Sequence, residues 1–149
     1  MVDRRDFLKL AALGATASMA AGAQAAPRPD PVETTARIVI IGAGAAGTSL
    51  ANRLVRRLDG AQITLIDPRR DHLYQPGLSL VATGLKPADY VVSKTTDWLP
   101  DGVDLIPDRV AAVDPEAKTV ATEGGELLDY DWLVVAPGLV LDHDAIEGF

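Results

Sequence analysis

Residues 37–67 read R-I-V-I-I-G-A-G-A-A-G-T-S-L-A-N-R-L-V-R-R-L-D-G-A-Q-I-T-L-I-D. Ile38 to Ile41 form an unbroken β-branched run, suited to a strand buried on both faces in a parallel sheet. Gly42, Gly44 and Gly47 follow in G-x-G-x-x-G spacing. Gly42 permits a tight turn out of the strand. Gly44 lacks a Cβ, so a pyrophosphate can approach the backbone. Gly47 lets the next helix press against the strand. That helix is expected from about Gly44 to Leu58, with Leu50, Leu54 and Leu58 at helical spacing beside Ala51 and Val55. Its N-terminal N–H groups, those of Ala45 and Ala46 among them, favour negative charge. Asp59-Gly60 stops it, and Ile63 to Ile66 form a second strand closed by Asp67. This carboxylate stands about twenty residues after Gly47, where it can accept hydrogen bonds from ribose hydroxyls. The combination points to a dinucleotide site rather than a glycine-rich turn without a ligand. Asp67 also argues against a 2′-phosphate on that ribose, because two anions would meet. Arg69 and Arg70 stand where they could weaken that argument, and a reading as solvated loop charges is at least as good.

The chain has 149 residues, enough for one domain with its own core. Residues 1–25 have the form of a signal peptide. Met1 to Lys9 (M-V-D-R-R-D-F-L-K) is basic, Leu10 to Ala23 is mildly apolar, and Ala23-Gln24-Ala25 offers a small-x-small cleavage site. Arg4 and Arg5 with Phe7, Leu8 and Lys9 resemble the twin-arginine export signal, departing only at Asp3. The competing readings are an amphipathic N-terminal helix and an uncleaved anchor. The twin-arginine route carries folded proteins, which suits a chain that must take up a tightly held cofactor before export. Residues 26–36, proline-rich and polar, read as a linker.

The formal charge is −7, and close to −8 once the three basic and two acidic residues of the first 25 are set aside. That balance disfavours nucleic acid and offers no basic patch for anionic lipid. With no cysteine in the chain, disulfides and thiolate chemistry are excluded within these residues.

Beyond Asp67, residues 68–77 read as loop and Leu78 to Ala82 as a short apolar segment ended by Gly84. Chain that follows a strand's carboxyl end lies beside the ligand crevice in such sheets, so Tyr74, Gln75 and Pro76 are placed to flank a cofactor. His72 fits loop packing better than proton transfer. A short helix is expected within Asp89 to Leu99, with Trp98 in a packing role. Val103–Ile106, Arg109–Asp114, Lys118–Thr122 and Leu127–Leu128 read as short strands of an antiparallel meander spanning about 103–128. Trp132 to Ala136 is the returning core strand, read as continuously buried, and Ala136-Pro137-Gly138 ends it where backbone can pass close to a ligand. Asp142-His143-Asp144 reads as a solvated turn, since consecutive side chains diverge and make a poor metal site. No residue in the chain stands out as catalytic.

Together these motifs resemble the two-dinucleotide-binding, FAD-dependent pyridine nucleotide-disulfide oxidoreductase superfamily. The resemblance covers Arg37 to Phe149. Gly42, Gly44, Gly47 and Ala51 with Asp67 match its FAD site, and Ala136-Pro137-Gly138 matches its later A-T-G signature, with Pro for Thr. The glycines and acid alone would suit FAD or NAD; the resemblance implies FAD. It implies a Rossmann-like parallel sheet with an inserted antiparallel β-meander, as an incomplete domain. It also implies that Val110 offers its backbone to the adenine, and that Pro76 and Ala136 to Gly138 lie near the flavin.

Two strings, His72 to Gly84 (H-L-Y-Q-P-G-L-S-L-V-A-T-G) and Tyr130 to Phe149, are similar to sulfide:quinone oxidoreductases and the flavin subunit of flavocytochrome c sulfide dehydrogenase. The first is also similar to single-subunit NADH:quinone oxidoreductases. The flavocytochrome subunit carries a flavin-linking cysteine after the second strand, whereas this chain has Tyr74-Gln75-Pro76, which favours the quinone-linked group. The expectation is an exported, periplasmic flavoprotein passing electrons from a sulfide-type donor through FAD to quinone or a c-type cytochrome. The family's redox cysteines and second dinucleotide domain fall after the matched region. The chain is therefore expected to be the FAD-binding part of a longer enzyme, without the later segment that completes the FAD site, binding FAD weakly or not at all by itself, and with any membrane contact elsewhere. An NADH:quinone oxidoreductase and a non-catalytic nucleotide-binding fragment are the alternatives.

Overall fold

A computed structural model describes residues 29–140 and 142–148. Residues 1–25, read above as a signal peptide with the Arg4-Arg5 pair, and the first residues of the stretch read as a linker lie outside the described residues.

Four parallel strands carry the fold. They are β2 (Arg37–Ile41), β4 (Gln62–Ile66), β7 (Val103–Ile106) and β11 (Trp132–Val135), in the order β11-β2-β4-β7. β2 runs between β11 and β4, with Ile40 opposite both Val134 and Leu65. Its side chains alternate between two cores. Ile38 and Ile40 join Ile63, Leu65, Ala43 and Ala51 under the helix α1 (Ala45–Val55). Val39 joins Ile66, Val120 and Tyr130 under a meander on the opposite face. This two-sided burial explains the β-branched run without polar alternation. Ile40 and Leu65 are fully buried, each worth about 1.5–3 kcal/mol relative to exposure.

The helix ends earlier than its leucine spacing predicts. Leu58 is not its last turn but part of β3 (Leu58–Asp59), a two-residue strand parallel to β1 (Val32–Glu33). The Val32 N–H donates to the Arg57 carbonyl at 2.8 Å, and the Thr34 N–H to the Asp59 carbonyl at 2.8 Å. The segment read as linker therefore contains a strand. Neither end of a two-residue ladder carries a periodicity, so local pattern could not reveal it.

Three further expectations are corrected. Val103–Ile106 belongs to the parallel sheet, where Leu105 faces Leu65, and not to the meander. The meander is β8 (Val110–Asp114), β9 (Thr119–Thr122) and β10 (Leu127–Asp129), antiparallel in the order β10-β9-β8 with an irregularity between Val110 and Ala112. His72 lies in a strand rather than a loop: β5 (Asp71–Leu73) pairs antiparallel with β6 (Val92–Lys94). Finally, β11 is not continuously buried. Among the described residues it has a neighbour only on the β2 side, and Trp132 is 68% and Val135 65% exposed.

The excursion from Asp71 to Trp98 joins β4 to β7. It holds the short helix α2 (Leu78–Ala82) where the apolar segment was read, and 3-10 turns at Ala88–Val91 and Thr95–Trp98 in place of one helix. Asn52 of α1 pins it, its side-chain amide donating to the Trp98 carbonyl at 2.7 Å and the Thr48 carbonyl at 2.9 Å. The Trp98 indole N–H donates to Ser93 Oγ at 2.8 Å, and the His72 and Trp98 rings lie 5.7 Å apart. Both rings thus take part in packing.

Candidate functional site

The carboxyl ends of β2, β4 and β11 converge on Gly42. Its N–H donates to the Ile66 carbonyl at 2.8 Å, and the Ala136 N–H donates to the Ile41 carbonyl at 2.8 Å. Gly42 has φ +102°, a left-handed conformation that favours glycine. A Cβ there would also overlap the Ala136 carbonyl oxygen. The end of β11 is therefore pressed against the turn leaving β2. Gly47 is equally constrained, since its Cβ would overlap the Gly42 carbonyl oxygen and meet Ile40. Gly42 and Gly47 serve close packing of strand, turn and helix.

Gly44 differs. A Cβ on it would meet only Arg69 Nη2, at 3.7 Å. Its surroundings are open, so protein packing does not account for glycine at this position. Gly44 is the N-cap of α1, no side chain caps it, and the first turn holds no acidic residue. The N–H groups of Ala45, Ala46 and Gly47 lie in the first turn, where a helix supplies no carbonyl acceptors of its own. These features fit a diphosphate: backbone donors, the positive end of the helix dipole, and room for an anion.

Asp67 closes β4 beside this mouth. It is 3% exposed. Its Oδ2 accepts the Ala43 N–H at 2.7 Å and Arg69 Nη2 at 2.8 Å; its Oδ1 accepts the Arg69 N–H at 2.8 Å and Nε at 3.0 Å. Burial pushes the carboxyl upward, but the hydrogen bonds from the Arg69 side chain, the Arg69 N–H and the Ala43 N–H outweigh it. The group ends below its ordinary range. Asp67 likewise raises the Arg69 guanidinium. Arg69 keeps a 58% exposed side chain, but its guanidinium is folded back over the acid two residues before it.

A cleft of about 710 Å³ opens from the mouth, within the range of small-molecule and cofactor sites. It is lined by Gly44 to Ala46, Asp67, Arg69, His72 to Pro76 and Ala136 to Leu139. A second recess, about 410 Å³, is lined by Val110, Asp108 and Glu123 together with Asp67 and Pro137. Gly44, Ala45, Ala46, Asp67, Pro76, Ala136, Pro137 and Gly138 thus gather on one cleft. Gly42 and Val110 line the adjoining recess, and Gly47 lies buried behind both. Sequence reasoning missed the contact of Arg69 with Asp67, and it missed Thr95, a buried residue of the cleft wall. Arg69 had a usable signal, a cation two residues after a strand-end acid. Thr95 had none, because it reaches the cleft through the β5–β6 pairing.

The profile of the pyridine nucleotide-disulphide oxidoreductase family matches residues 36–149. Among individual relatives, the mitochondrial sulfide:quinone oxidoreductase of Mus musculus is 34% identical over 111 residues, covering 74% of this chain and 25% of that protein. The type II NADH:quinone oxidoreductase NdhA of Mycobacterium tuberculosis is 36% identical over 107 residues, covering 68% and 22%. Among solved structures, the sulfide:quinone oxidoreductase of Aquifex aeolicus superposes with a TM-score of 0.58 at 25% identity, covering 72% of this chain and 25% of the other. The chain spans about a quarter of the length of these relatives.

Proposed function

The chain belongs to the pyridine nucleotide-disulphide oxidoreductase family, whose cofactor is FAD, and from that premise we propose that it is the FAD-binding part of an exported sulfide:quinone oxidoreductase-like enzyme. Bound FAD supplies electron-transfer chemistry, and the protein supplies binding, orientation and electrostatics. Gly42 makes the turn and Gly47 seats the helix. Gly44 leaves room for the diphosphate, which accepts hydrogen bonds from the first-turn N–H groups at Ala45 and Ala46. Asp67 receives the adenosine ribose hydroxyls. Val110 offers backbone to the adenine. Pro76 and Ala136 to Gly138 flank the isoalloxazine end of the cleft.

The observation that carries this reading is the open face of Gly44 beside a strand-end carboxylate. It has no packing explanation, and it faces a cleft of cofactor size. The similarity to the mouse enzyme supports sulfide as the donor class and quinone as the acceptor; a c-type cytochrome is the other acceptor considered. In this reading residues 1–25 direct the protein to the periplasm as a twin-arginine signal, residues 26–36 join that signal to the sheet, and residues 37–149 are the FAD-binding portion. Changing Arg4 and Arg5 to Lys stops export; unchanged periplasmic yield removes the twin-arginine assignment.

A second reading, an NADH:quinone oxidoreductase, draws on the similarity to the mycobacterial protein. Anaerobic bleaching of the flavin separates the two. In the complete gene product sulfide bleaches it and NADH does not; the reverse outcome replaces the first reading with the second. FAD binding itself is tested on the complete gene product by quenching of flavin fluorescence, which a Gly44→Val substitution abolishes.

A further inference from the structure

We propose that Arg69 is a latch on the ribose site: its guanidinium holds the Asp67 carboxylate until the adenosine ribose takes its place. The inference rests on the FAD reading above. A carboxylate offers about four lone-pair positions. Four N–H groups fill them at Asp67, those of Ala43 and Arg69 from the backbone and Nε and Nη2 from the Arg69 side chain, all within 2.7–3.0 Å. Ribose hydroxyls can satisfy this acid only by donating to it, and every accepting position is taken.

The four donors are unequal. The two backbone donors are fixed by the turn leaving β2 and the turn leaving β4. The other two belong to one side chain that is 58% exposed and can rotate away into solvent. The same guanidinium stands 3.7 Å from the Cβ position of Gly44, on the open side of the helix mouth. One cation thus lies across the ribose acceptor and the approach to the diphosphate donors together. The arriving cofactor brings replacements for both, hydroxyl donors for Asp67 and an anion for the mouth. Arg69 and ribose alternate on the acid, so the carboxylate has only its two backbone donors in the open molecules that bind cofactor, a minor fraction.

Such a latch lowers apparent affinity by the fraction of molecules in which it is open. The test is stopped-flow quenching of FAD fluorescence by the flavin-depleted complete gene product, as wild type, Arg69→Ala and Arg69→Lys. Alanine removes the latch; lysine keeps the charge but loses the two-pronged contact. FAD association is expected to be faster by about tenfold in Arg69→Ala, with saturation at lower FAD, and intermediate in Arg69→Lys. Should Arg69→Ala fail to show a cooperative melt, faster association in Arg69→Lys carries the same conclusion. Equal rates in all three proteins overturn the latch. Slower and weaker binding by Arg69→Ala also overturns it, and makes Arg69 a direct cofactor contact. Absence of flavin binding in all three overturns the FAD reading itself, an outcome distinct from equal but measurable rates.

Discussion

The two sides of the turn that leaves β2 are built from the same residue types and obey opposite rules. On the inner side, Gly42 and Gly47 exist because neighbouring backbone occupies the space a side chain would need: the Ala136 carbonyl in one case and the Gly42 carbonyl in the other. On the outer side, Gly44 has only the mobile tip of Arg69 within reach. A glycine motif therefore combines a packing constraint with a vacancy, and only the vacancy speaks of a ligand. Asp67 spans both sides. Its Ala43 contact braces the turn, while its Arg69 contact faces the cleft.

Substitutions that separate the two sides should fall in a definite order. Gly47→Ala has the largest effect on folding, because its Cβ meets backbone that cannot give way. We expect a loss of about 3 kcal/mol or more, at the upper end of overpacking costs, read as a lowered urea midpoint. A wild-type midpoint would dissolve the distinction. Next comes Asp67→Ala, which strips the Ala43 N–H of its buried acceptor and costs about 1–3 kcal/mol in the same measurement.

The acid also predicts a pH dependence. Its folded-state pKa lies below the ordinary value, so its contribution is fully present above the unfolded value of about 4 and is lost as pH falls through the lowered folded value. Stability of the wild type should decline through that acidic window, and Asp67→Ala should flatten this part of the profile. An unchanged slope would mean that the carboxylate is not the braced group described above.

The smallest effect on folding is expected from Gly44→Ala. Replacing a glycine N-cap by alanine costs less than about 1 kcal/mol, and the methyl meets nothing but Arg69. FAD binding, by contrast, should weaken strongly, because that methyl occupies the approach to the diphosphate. A variant that binds FAD normally would show that the open face of Gly44 is not the contact surface.

What was legible in the sequence was legible for local reasons. β2 and β4 announced themselves as β-branched runs because both faces of a central parallel strand are buried. The start of α1 followed from glycines at a strand end. The turns at Asp114–Ala117 and Glu123–Gly125 were written in turn residues; the first is closed by the Asp114 carboxylate on the Ala117 N–H at 2.8 Å. Legibility failed where the deciding partner was remote. Leu58 has helical spacing yet pairs with Val32. Val103–Ile106 is as short as the meander strands but lies against β4. The apolar run Trp132–Val135 reads as core but has, among the described residues, a neighbour only on the β2 side, and no run of side chains states how many neighbours a strand will have.

By itself, then, the chain's order of residues determined a strand, a glycine-opened helix mouth and an acid at the end of a second strand, because these depend on side-chain size and period over a few residues. Only the tertiary structure decided which glycine is packed and which is open, and that the acid is already held by the arginine two residues beyond it. Those outcomes depend on atoms brought together by the crossing of β2, β4 and β11, and on the direction a side chain takes once burial leaves a carboxylate in need of donors.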